Sequence, residues 1–279
     1  MLLCGPARAL ETRWWSVTAG AEATRYADEN PYLFRDAEGW TRSLFGSAGA
    51  GARWLGAAGL TDQRIRQESW SFHALKRSLW LSGALSPAWG LEMMGVSSST
   101  RMSWPDPGSN SVGRHGWVAG GGLTWCPAPA ATAPLMVNAR AMRLRQAAPS
   151  APEGTPLTAE LNLARRAEHG NQRLGLLASR VGGETKVAGL ARASSSFGRL
   201  DLHASLLVGH QDQWFDVERL VVHDGLQELR SSLGAGLSWR AWKGLSVEGS
   251  AGWEKVQGSE NRWLFVGVKW SHRVWAASD

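Results

Sequence analysis

Asp201, His203 and Ser205 occupy alternate places in one short stretch, and a carboxylate, an imidazole and a hydroxyl are the parts of a hydrolytic relay. A polar surface supplies the same three side chains without any reaction. The histidines, His73, His115, His169, His203, His210, His223 and His272, include no clear metal-ligand spacing. The chain contains no Walker loop, HExxH pair, CxxC pair or GxSxG elbow. Two glycine-rich runs, AGAGA (48–52) and AGGGL (119–123), lack the strand-to-helix setting of a phosphate cradle and suit places where strands crowd as a sheet curves. The sequence therefore points away from an enzyme and implies neither cofactor nor metal. Hydrolysis at His203 and Ser205 remains the lesser reading.

A stronger claim belongs to ionisable side chains that recur on the polar side of alternating segments: Glu22, Arg53, Glu92, Glu160, Arg173, Lys186, Arg192, Asp201, His203, Arg240, Glu248 and Glu254. Gathered around one enclosed space, such mixed charges either select among solutes or pair across the interior and stiffen it.

The element that must position them is visible in LGAGLSWRAW (233–242). Leu233, Ala235, Leu237 and Trp239 take every second place, with Gly234, Gly236, Ser238 and Arg240 between them, which is the two-residue period of a strand. The pattern returns at 15–26, 42–56, 89–102, 117–125, 135–145, 155–166, 171–181, 185–194, 199–210, 228–241, 245–256 and 261–271. Residues 66–86 read as two further strands broken near Lys76 and Arg77. The total is fourteen, with twelve as the alternative, and no second domain or longer repeat interrupts it.

Composition agrees. Of 279 residues, 43% are hydrophobic and 19% charged, with 33 glycines and 17 tryptophans, a balance that suits strands better than amphipathic helices. No run of 18 apolar residues exists to form a membrane helix, so a membrane protein of this sequence must be a closed barrel. The net charge of +6 is scattered rather than gathered into a stripe, which gives no footprint for nucleic acid and fits anionic headgroups or an anionic solute. Cys4 and Cys126 allow one bridge at most.

A soluble sheet buries its apolar face and shows Lys, Glu and Thr to water. Here the expected outer faces are Leu, Val, Ala and Trp, and the inner faces carry Ser, Gly and charge, which is the inverted arrangement. The rival is a water-soluble sandwich or barrel with its Leu and Val faces stacked together. If the first strand starts on the inner side of a membrane, the connections at 27–41, 76–78, 103–116, 146–154, 182–184, 211–227 and 257–260 lie outside. Most long polar loops fall in that set, with 57–65 and 126–134 as exceptions. The segment 211–227 reads as a long connection that could fold inward as a constriction or form an external lid. Tryptophans band in the same frame. Trp15, Trp54, Trp89, Trp125, Trp239, Trp242 and Trp270 lie near inner ends, and Trp104, Trp117, Trp214, Trp253 and Trp263 near outer ends, as expected of indoles at headgroup level.

The hairpin rhythm, the aromatic bands and the terminal strand WLFVGVKW resemble the bacterial outer-membrane β-barrels as a broad class, over residues 13–271. That resemblance implies an all-β chain forming a single antiparallel transmembrane barrel in the outer membrane, monomeric or a small oligomer. It also implies a pore or translocation channel for a polar or anionic solute or polymer. Its partners would be outer-membrane lipid, the solute and an envelope-complex protein, without nucleic acid. A plugged, partner-binding barrel of a surface or export complex is the alternative. Many barrels of the class end on an aromatic residue, whereas this chain continues through SHRVWAASD as a short extension after 271. Residues 1–9 read as the remnant of an export signal, with Ala7-Arg8-Ala9 in the form of a cleavage site and 10–279 as the barrel domain.

Overall fold

In a computed structural model the described residues are 13–28, 37–50, 54–104, 111–129, 135–147, 157–167, 169–216, 221–256 and 259–275. Fourteen strands account for nearly all of them. They are β1 (Arg13–Asp28), β2 (Glu38–Ala50), β3 (Trp54–Gln67), β4 (Trp70–Ala84), β5 (Trp89–Ser103), β6 (Val112–Trp125) and β7 (Leu135–Ala147), followed by β8 (Leu157–Ala167), β9 (Gly170–Val181), β10 (Glu184–Phe197), β11 (Leu200–Asp216), β12 (Val221–Trp242), β13 (Leu245–Val256) and β14 (Ser259–Trp275). Each pairs antiparallel with its sequence neighbours, and β1 pairs with β14, so the sheet closes on itself and leaves no edge.

Turn chemistry enforces the hairpins. Gly182 and Gly183 take φ of 57° and 92° between β9 and β10, the left-handed pair a two-residue hairpin requires. Between β4 and β5 the hydroxyl oxygen of Ser86 accepts from the backbone N–H of Trp89 at 3.1 Å, which closes the turn around Pro87.

Faces alternate as the two-residue period demands. Leu233, Leu237 and Trp239 lie exposed on the outside of β12, and Gly234 is buried on the inside. On β9, Leu174 is 62% exposed, although it sits in mid-strand. The exterior is therefore apolar and uncovered, the reverse of a soluble barrel.

The expected strand 42–56 divides between β2, which ends at Ala50, and β3, which begins at Trp54, and three further boundaries differ from the sequence reading. Residues 57–65 are not a loop, and the chain does not break at 76–78: β3 runs through the first, β4 runs through the second, and the turn falls at 68–69. Segment 211–227 is mostly extended hairpin, with Asp216 opposite Val221. Finally, β14 does not stop at 271 but stays paired to β1 as far as Trp275, opposite Trp14. The reason for the first two is common: past the lipid, a strand needs no apolar face to keep its backbone ladder, so Asp62, Arg64 and Arg66 look like loop and fold as strand. The expected export remnant at 1–9 lies outside the described residues.

The barrel is not a round tube. Fourteen strands at about 4.8 Å spacing and a tilt of about 40° enclose a circle about 28 Å across. Yet Cα atoms of β12 come within 8 Å of β5 and β6, on the far side of the ring. Ladder irregularities at 208–211, 213–215 and 229–231 interrupt the regular register of β11 and β12. Gly209 sits at the first with φ 128°, and a Cβ there would stand 2.6 Å from the carbonyl oxygen of Val187.

Candidate lumen site

Two neighbouring rows of the inner wall gather buried polar groups. Cross-strand register aligns Ser82, Glu92, Gly122, Arg140 and Glu160 across β4 to β8, and aligns Thr124, Asn138 and Asn162 in the adjacent row. Arg140 donates Nε to Glu92 Oε1 and, at 3.2 Å, Nη2 to Glu92 Oε2, a two-pronged pairing suited to the planar guanidinium. Its Nη1 lies 3.7 Å from Glu160 Oε2. Arg173 then takes Glu160 Oε1 and donates Nε to Asn162 Oδ1 at 2.7 Å. Asn138 joins the rows, donating to Thr124 Oγ1 at 2.9 Å and to Glu92 Oε1 at 3.4 Å. Opposite charges thus alternate along Glu92, Arg140, Glu160 and Arg173.

Burial makes the alternation obligatory. Glu92 is 2% exposed and Glu160 4%, so neither carboxylate can rely on water. Glycine makes the space. A Cβ on Gly122 would lie 2.7 Å from Arg140 Cγ and 2.8 Å from Glu92 Oε1, so only glycine lets these side chains meet over β6.

Other candidate residues distribute around the wall. Glu248 accepts both carboxylate contacts from Lys269 Nζ at 2.8 Å. Asp201 lies 3.5 Å from Arg240 at the tryptophan-ringed end, where Arg240 remains 54% exposed. Glu22 faces inward beside Gly267, and His203 lies over Gly236. Lys186, Arg192 and Glu254 share the inward parity of their strands. Arg53 lies outside the described residues. Arg140, Asn138, Asn162 and Lys269 were not singled out from sequence. Their signal was parity, since Arg140 stands opposite Gly122 and Glu160 once strands are paired.

The interior is not uniformly polar, contrary to expectation. Met94, Val96, Val118, Met142 and Leu144 form a buried cluster beside the ladder, and Ala188, Leu190, Leu207 and Leu229 form another. On β5 both parities are apolar in places, with Met94 and Val96 buried inward and Met93 exposed outward.

Of the tryptophans, Trp15, Trp54, Trp89, Trp125, Trp239 and Trp270 stand exposed around one end, with Trp117 exposed toward the other. Trp253 donates Nε1 to Glu260 at 3.2 Å. Trp263 departs from the expected outer belt: it turns inward, buried, with its ring over Gly252 and 4.7 Å from Phe265.

A hydrolytic relay finds no support in this geometry. No hydrogen bond joins Asp201, His203 and Ser205. Asp201 is engaged by Arg240 instead. Among the described residues no group of three or more His, Cys, Asp or Glu is arranged to hold a metal ion.

A closed, even-stranded antiparallel ring with an apolar exterior and an ion-paired interior defines the outer-membrane type of β-barrel. Comparison with known proteins agrees on the fold. The structure is similar to the CymD monoaromatic hydrocarbon channel, with 10% identity and a TM-score of 0.54 over 92% of this chain and 87% of that one. It is also similar to a deltaS2 mutant of the TodX monoaromatic hydrocarbon channel, with 11% identity and a TM-score of 0.51 over 96% and 92% of the two chains. No protein-family model and no curated protein sequence matches it.

Proposed function

We propose that this chain is a channel of the bacterial outer membrane, passing a small polar or anionic solute through a narrow, charge-lined lumen without chemistry. The observation that carries the reading is the inside-out wall: Leu and Trp face outward, and the ladder from Glu92 to Arg173 faces in. At the tryptophan-ringed end Asp201, Arg240, His203 and Ser194 add exposed polar groups to the inner wall. Paired charge also favours a polar cargo over the hydrocarbons named for CymD and TodX.

The test is planar-bilayer recording of the folded protein under a salt gradient. Small, discrete current steps with an anion-selective reversal potential are expected. A silent bilayer from protein that still shifts on a gel when heated contradicts the open channel.

One observation favours a second reading, a plugged barrel that holds an envelope partner. β12 approaches β5 and β6 across the ring, and Met142 and Glu92 are almost fully buried. Shortening the β11 and β12 hairpin to a two-residue turn joining Val208 to Ser231 separates the two. A severalfold rise in conductance marks the hairpin as a constriction of a working channel, and continued silence marks a plug.

A further inference from the structure

Outward-facing arginines gather at the barrel end that carries the connections after β1, β5 and β7. They are closest around Trp40. The guanidinium of Arg42, which stands opposite Asp62 in the register, lies 4.5 Å from the centre of that indole, and the guanidinium of Arg64, the register partner of Trp40 on β3, lies 5.1 Å from the same ring. Arg25 and Arg66 flank the group, each opposite Glu38. The other nearby carboxylate, Asp62, is held at 2.7 Å by His73 and stands 4.0 Å from Arg64. Among the described residues of β1 to β3 at this end, four guanidinium groups face two carboxylates, Glu38 and Asp62, with Glu68 in the turn beyond Arg66.

Two cations held on one indole repel each other, and an anion between them removes the penalty. The guanidinium fork matches a phosphate better than a point charge would. Indole marks the boundary between acyl chains and headgroups, so Trp40 fixes the depth at which that anion must lie. The band continues: Arg101, Arg145, Arg180 and Arg262 also point outward and exposed at this end. The opposite end is ringed by tryptophan. Much of the chain's positive balance thus has a place, on the outer wall near one rim.

We infer that the Trp40 cluster binds the phosphorylated headgroup of an outer-leaflet lipid, one phosphate lying between Arg42 and Arg64. The inference rests on the outer-membrane reading above. A phosphate there neutralises the crowded guanidinium groups while its acyl chains run down the Leu44 and Leu60 wall.

The test uses the full barrel in mixed detergent micelles, with a bisphosphorylated disaccharide glycolipid as probe and its dephosphorylated form, carrying the same chains, as comparison. Native mass spectrometry reads the lipid retained. The phosphorylated probe is expected to be retained about tenfold more strongly, and the R42Q/R64Q double variant to lose that preference. R42K/R64K keeps the charge and is expected to retain part of it, and Arg165→Gln at the other end to change nothing. Equal retention of the two probes, or a preference that survives R42Q/R64Q, overturns the inference. A barrel that conducts in bilayers yet shows no phosphate preference sinks this site alone, whereas a chain that stays dissolved without detergent sinks the membrane reading with it.

Discussion

Glu92 and Arg140 show how costly half of a pair is. Glu92→Gln leaves Arg140 with Glu160, which Arg173 already holds, so a buried cation loses its two-pronged partner. Removing one member of such a pair costs about 3 to 5 kcal/mol, and the urea midpoint of the barrel is expected to fall accordingly. The double replacement Glu92→Leu with Arg140→Leu is expected to cost less than Glu92→Gln, because it leaves no unpaired charge beside the Met94 and Met142 cluster. Equal midpoints for native and Glu92→Gln proteins would show that water reaches the ladder. Gly122→Ala tests the same place by volume. Its methyl group meets both Arg140 Cγ and Glu92 Oε1 inside 3.0 Å, and a loss of about 1 to 3 kcal/mol is expected in the same titration.

Strands were legible wherever lipid constrains one face. In β12 and β13 the alternation of Leu, Ala and Trp against Gly, Ser and Glu continues because hydrocarbon lies against one side, and fourteen strands were countable on that ground. Legibility ended where that constraint ends. The outer part of β3 carries Asp62, Arg64 and Arg66 on its outward side and looks like a loop, as does the end of β11, yet both ladders continue. The candidate site was half visible: Glu92, Glu160 and Arg173 follow from parity, but their partner Arg140 needed the register that puts β7 beside β8. Buried Met142 and Leu144 were missed because inward apolar residues carry no sign of which inner face is filled and which is wet. Closure beyond 271 has its own check. With Cys4 and Cys126 changed to serine, Val17→Cys and His272→Cys stand opposite each other and are expected to cross-link under mild oxidation, giving a band of altered mobility. No cross-link in folded protein would place the end of β14 before His272.

The whole barrel works, in this account, by exchanging the usual inside and outside. A ring of apolar side chains faces lipid, tryptophan marks one interface and arginine the other, and the charges that a solute would meet are paired within the wall. All of this requires that the two faces of each strand meet different media. Single cysteines placed in turn at positions 232 to 239 of β12, in vesicles, and treated with a water-soluble thiol reagent measure those media residue by residue. Labelling is expected at Ser232, Gly234, Gly236 and Ser238 and not at Leu233, Ala235, Leu237 and Trp239. Labelling without that two-residue period, or concentrated on the Leu and Trp positions, contradicts the account.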